Sequence, residues 1–125
     1  MLAELSPEQE EQVTQGAKEF PFDAVLDILN SKHSYEDKVS RILAISGTWM
    51  NAASGSQWAL GPLSSTAYSE RVGIGVRWGE IAFSPLLNVA ENLIDAYPTW
   101  PGVLREFAQN QEDARDYFSQ RLTEI

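Results

Sequence analysis

Three pairs of carboxylates stand four residues apart: Asp23 with Asp27, Glu91 with Asp95, and Glu112 with Asp116. On a helix this spacing puts both members of a pair on one face, where two ionised groups repel by about 0.2–0.5 kcal/mol. Such a pair can chelate magnesium or divide acid and base duties in catalysis. In a chain with 18 acidic residues, however, pairs at this spacing arise by chance, and a solvated face is their ordinary meaning. No metal ligand or catalytic residue is assigned among them. Asp23 and Asp27 are kept as a candidate acidic interaction face, because acidic helical faces with aromatic neighbours bind basic surfaces by electrostatic complementarity.

Other chemistry is scarce. His33 is the only histidine and cysteine is absent, which excludes disulfides, thiolate metal sites and most histidine metal schemes. His33 itself lies in "NSKHSYED" between two expected helices, the setting of an exposed linker residue, and general-base work needs a partner in reach. "GIGVRWG" brings to mind a nucleotide-binding glycine loop, but its third glycine arrives one residue late for G-x-G-x-x-G and no βαβ unit surrounds it. These glycines therefore read as structural, serving twist, a bulge or close packing. No cofactor is expected.

The aromatic residues carry more information. Ile42 to Ser69 holds no charged residue, in a chain where 22% of residues are charged, and contains two of the four tryptophans. Trp49 fits a core helix. Trp58 stands in a Gly/Ser/Pro-rich stretch, where a large apolar ring is costly unless it folds back onto the core or meets a partner. Arg71 and Arg77 follow nearby, and a guanidinium among aromatic rings grips a carboxylate or a protein surface well. Trp58, Tyr68, Arg71, Arg77 and Trp78 are accordingly the candidate partner- or ligand-binding residues.

Charge is segregated along the chain. Residues 1–37 carry net −7, residues 38–90 net +2 and residues 91–125 net −4. A total of −9 favours solubility and opposes direct contact with nucleic acid or an anionic membrane. A basic or nucleic-acid-binding protein is still an admissible partner. The uncharged stretch is interrupted by Ser46, Gly47, Asn51, Gly55, Gly61 and Pro62, so it does not read as a spanning helix. "MLAELSPEQEEQ" does not read as a secretory signal, and the expected address is the cytoplasm.

The elements that must position these residues follow from caps and periodicity. "SPEQ" opens a helix over 6 to 20, and "PFDAVLDILN" gives a short second one over 21 to 30. Ser34 caps the strongest, over 34 to 54, in which Tyr35, Val39, Ile42, Leu43, Ser46, Met50 and Ala53 recur at helical spacing. "GSQWALGPLSSTA" reads as loop and turn. In "RVGIGVRW", Val72, Ile74, Val76 and Trp78 alternate with small or charged residues, which predicts a strand, with "EIAF" as a short return. A Ser-Pro start at Ser84 opens a helix over 85 to 97, and 101 to 123 is helical with a possible break at Asn110.

The expected fold is therefore a mainly α, single-domain helical bundle of about four to six helices, with a short β-hairpin or irregular Gly/Trp-rich insertion in the middle. The expected function is that of a small acidic interaction protein, an inhibitor, adaptor or stabilising partner of a larger one, and non-catalytic. Two alternatives stand beside it: a small-ligand binder or enzyme using arginine and carboxylates in a Trp-lined pocket, and a structural homo-oligomer subunit.

Overall fold

The computed structural model describes residues 5–8, 11, 19–63, 71–80 and 82–123. Among these, the elements run α1 (Phe22–Leu29), α2 (Tyr35–Ser54), β1 (Gln57–Pro62), β2 (Val72–Trp78), β3 (Ala82–Pro85), α3 (Leu87–Ala96) and α4 (Val103–Thr123). The expected helix over 6 to 20 lies for the most part outside the described residues.

The Ser34 side chain accepts a hydrogen bond from the Asp37 N–H at 3.2 Å and starts α2, while Glu36 and Asp37 complement the positive end of the helix. Gly55, with φ of 73°, ends it in the left-handed conformation that glycine adopts without strain. Between them, Ile42, Leu43, Ala44, Ile45, Ser46, Gly47, Trp49 and Met50 are all buried. Such continuous burial requires neighbours on every side. α1 supplies Val25 and Leu29, α3 supplies Ala90 and Leu93, and α4 supplies Leu104 and Phe107 to the same core. Phe20 lies edge-on to both Trp49 (5.3 Å) and Phe107 (5.5 Å), and its backbone N–H donates to Glu112 Oε1 at 3.0 Å. The Arg115 guanidinium stands 5.0 Å from the centre of the Trp49 ring, a cation–π contact.

The remaining side of α2 is closed by a three-stranded antiparallel sheet in the order β1-β2-β3. The fold is thus mainly α with a small sheet, not a pure bundle of four to six helices. Strand also extends beyond its expected place. Gln57–Pro62, read as loop from its Gly-Pro and neighbouring serines, is a full strand paired to β2. The reason is again period two: Trp58, Leu60 and Pro62 alternate with Gln57, Ala59 and Gly61. Ala59 and Gly61 fall opposite Gly75 and Gly73, and this makes a floor of small residues. The Phe83 ring lies across that floor, so a Cβ at Gly61 or Gly75 would sit 2.7 Å from it.

Two other boundaries differ from expectation. Ser84 does not cap α3; it pairs with Val76 in β3, and the helix begins at Leu87 after Leu86 N–H has bonded the Ile74 carbonyl. α4 runs without a break through Asn110, where Gln109 Nε2 donates to Asp113 one turn on.

Two contacts fasten the sheet to α2. The Trp78 ring, fully buried, stacks on Phe118 at 4.7 Å, and its Nε1 donates to Ser54 Oγ at 2.8 Å. Ser54 in turn donates to the Met50 carbonyl at 2.6 Å. Two turns back from Ser54, the Trp58 ring rests on Gly47, where a Cβ would overlap the ring.

Both contacts are testable. Alanine in a helix interior usually gains about 1 kcal/mol over glycine, but Gly47→Ala must displace the Trp58 ring and is expected to lose about 1–3 kcal/mol instead. Urea unfolding with tryptophan emission reads both effects, and a gain in stability would show that the ring leaves at no cost. Ser54→Ala strands the buried Trp78 N–H and is expected to lower stability by about 1–3 kcal/mol, measured by the same titration.

Candidate functional site

In an antiparallel pair, residues alternate between those that bond across the pair and those whose N–H and C=O point away. The Leu63 N–H bonds the Arg71 carbonyl at 2.9 Å, so the odd-numbered residues of β1 bond inward to β2. The backbone groups of Trp58 and Leu60, and the carbonyl of Pro62, therefore face the open edge. Proline costs nothing at this position, because its missing N–H would have pointed outward. β1 carries no charge, and among its own residues only Pro62 lacks an N–H to offer another strand.

The side chains of the same residues lie on the face that meets α2. Cover on this face fades from one end to the other. Val76 and Trp78 are completely buried and Ile74 partly so, whereas Val72 is 65% exposed. Along β1, Trp58 is 36% exposed and Leu60 74%. Among the described residues, Leu60 and Val72 thus form an apolar patch at the end of the sheet that α2 does not reach, and the part-exposed Trp58 ring, seated on Gly47, borders it beside unbonded backbone.

The five residues singled out in the sequence are distributed, not gathered. Trp58 borders the patch. Trp78, on the same sheet face, is core. Arg77 stands in register with Gln57 on the opposite face and is exposed. Arg71 reaches α3, where its Nη2 lies 3.3 Å from Glu91 Oε1. Tyr68 lies outside the described residues. Asp23 and Asp27 are exposed on α1, as an acidic face requires.

Glu91, the partner of Arg71, lines a second feature, an open groove of about 370 Å³ between α2 and α3. Val39, Leu43 and Leu87 form an apolar lining, with Tyr35, Glu36, Ser40 and Glu91 around it. Partial burial, then the charges of Asp95 and Glu91 and a hydrogen bond to Asp95, raise the Tyr35 phenol above its ordinary pKa, while Arg71 acts in the opposite sense. The phenol is thus a neutral donor at physiological pH. No tryptophan lines the groove. His33, on the loop before α2, holds Asp37 Oδ2 at 3.1 Å, and that carboxylate also meets Arg41 at 3.5 Å, an exposed surface cluster. Among the described residues, no group of three or more metal-ligating side chains comes together, and no helix is long and apolar enough to cross a membrane.

Sequence reasoning missed Leu60, Val72 and Gly47. Leu60 was legible in principle through its alternation with Ala59 and Gly61. The alternation puts Val72 on the apolar face of β2, but nothing local marks where the cover of that face ends. Gly47 carries no local signal, since its partner is eleven positions away in another element. No protein-family model matches the chain, and neither a curated protein nor a solved structure matches it.

Proposed function

We propose that the chain is a non-catalytic protein-interaction module, an inhibitor, adaptor or stabilising partner of a larger protein in the cytoplasm, that docks through the open edge of β1. One observation carries this reading: Trp58, Leu60 and Val72 expose apolar surface on one sheet face, next to backbone groups that already point outward. A partner that contributes an extended strand gains main-chain hydrogen bonds from the edge and side-chain contacts from the patch. Tryptophan half held by its own fold is a pre-ordered anchor, which reduces the entropy lost on docking. The acidic face at Asp23 and Asp27 would steer a basic partner towards the chain without adding much to the contact itself.

Leu60→Lys tests the reading directly. With Leu60 74% exposed, its replacement should leave the melting temperature within a few degrees of wild type. Affinity for a partner captured from the native host and rebuilt from purified components should fall by about 30-fold or more. Undiminished affinity would move the docking surface elsewhere. Asp23→Asn with Asp27→Asn should slow association at low salt and leave dissociation unchanged; an association rate indifferent to salt would remove the steering role.

The groove supports a second reading, a binder of a small amphipathic ligand. Its apolar lining and the carboxylates of Glu36 and Glu91 suit an organic cation with an apolar body. Such a compound should raise the melting temperature in proportion to its concentration, and Glu91→Gln should weaken that effect. Equal responses in the two proteins would exclude the groove.

A further inference from the structure

The groove between α2 and α3 is graded in polarity along its length. Tyr35 begins α2 and its hydroxyl bonds Asp95 near the end of α3, so the two helices run antiparallel. Tyr35, Val39 and Leu43 recur every four residues along one, and Leu87, Glu91 and Asp95 along the other, which keeps each set on one helix face. Leu43 and Leu87 therefore meet at an apolar end. Tyr35, Glu36 and Asp95 stand at an acidic end, with Val39 and Glu91 between.

One cation already serves this acidic end. The Arg71 guanidinium lies 3.3 Å from Glu91 Oε1, and it comes from neither helix but from the residue before β2. We propose that Arg71 is a resident counterion of the groove, and that an organic ammonium with an apolar body enters by taking its place at Glu91. The proposal rests on the groove being a ligand site and names the residue that sets its affinity for a cation.

Three observations carry the exchange. The pair is lopsided: the Arg71 side chain is 62% exposed and Glu91 27%, so the guanidinium has water to return to, whereas the more enclosed carboxylate needs a partner. Release also leaves the backbone in place. The Arg71 carbonyl accepts from the Leu63 N–H at 2.9 Å, and the Leu63 carbonyl accepts from Asn88 Nδ2 at 2.8 Å, which ties this end of the sheet to α3 one turn before Glu91. The side chain can swing away while its anchor stays. Finally, Arg71 does not balance the acids it meets. Among the described residues, the charges felt at the Tyr35 hydroxyl are those of Asp95, Glu91 and Arg71, two acids against one base, and after burial it is the two acids that raise the phenol. An ammonium held by Glu91 with its body over Val39, Leu43 and Leu87 matches this gradient, and a carboxylate of the same shape does not.

Isothermal titration of the full-length chain with 2-phenylethylammonium at low salt checks the exchange. Arg71→Gln removes the competing cation at an exposed position and should leave the melting temperature within a few degrees of wild type. It should bind the probe about three-fold or more tighter than wild type, an advantage that shrinks as salt rises. 3-Phenylpropanoate, the same body with the opposite charge, should bind neither protein. Glu91→Gln should weaken the probe about ten-fold, and in its presence Arg71→Gln should make a smaller difference, because the carboxylate under competition is gone. Unchanged or weaker binding by Arg71→Gln, where Glu91→Gln still weakens the probe, overturns the resident counterion and leaves the groove as a site. An equal gain from Arg71→Gln whether Glu91 is present or replaced overturns it too, since the effect is then one of general charge. Absence of probe binding by both wild type and Arg71→Gln, or equal binding of the ammonium and carboxylate probes, removes the groove as a cation site and the proposal with it.

Discussion

Enclosure of α2 is the condition on which the other elements depend. From Ile42 to Met50 every residue but Thr48 is buried, so the helix has no side that it can turn to water for more than two turns. A helix apolar around its whole circumference needs a complete shell. Among the described residues, three helices and a sheet supply most of it, and each is amphipathic in the degree that its place requires. α1 and α3 bury two residues apiece in their helical spans, while α4 puts Leu104, Phe107 and Gln111 inward along one stripe. The uncharged stretch of the sequence is therefore first a requirement of burial. Its second half, in β1, is a different matter.

β1 is uncharged and yet largely exposed. The Trp58 ring reaches Gly47 and is held there, but the sheet extends past the point where α2 can cover it. Gly47 makes this arrangement possible, because any side chain at that position would lift the ring and the strand with it. The apolar patch is the consequence of a sheet that is fastened at one end, by Trp78 to Ser54 and Phe118, and that none of the described residues covers at the other. A core contact and an exposed edge are thus two ends of the same strands.

The parts legible in the sequence are those whose causes are local. Ser34 as cap, Gly55 as stop and the helical recurrence between them define α2 to within a residue, and the alternation of Val72, Ile74, Val76 and Trp78 defines β2. Where the cause is a distant partner, local signals mislead. Gly61-Pro62 looks like a turn, but opposite Gly73 and Val72 it continues a strand. Ser84-Pro85 looks like a helix start, but Val76 recruits Ser84 into the sheet before α3 can begin. The site follows the same division. Trp58 stood out because a tryptophan among glycine, serine and proline demands an explanation. Arg71, Arg77 and Trp78 are near it in sequence yet point to α3, to the far sheet face and into the core, since a strand sends neighbours to opposite sides.

Charge placement completes the picture of the edge. Exposed edge strands are usually guarded by lysine, proline or a bulge on the strand itself, to prevent uncontrolled pairing. Here only Pro62 stands on β1, and its missing N–H faces outward, so it blunts one end without breaking the ladder. The stronger guard is remote: acidic residues concentrated before Lys38 and after Ala90 give the whole molecule a repulsive field. A field of that kind acts between bodies and not at the strand, so it slows approach of a like-charged chain while leaving the edge free to bond once contact is made. It also discriminates by sign, which a lysine on the strand would not do in the same sense. An uncharged edge on a strongly acidic body is therefore selective by approach and permissive at contact, the combination that the proposed docking role would need.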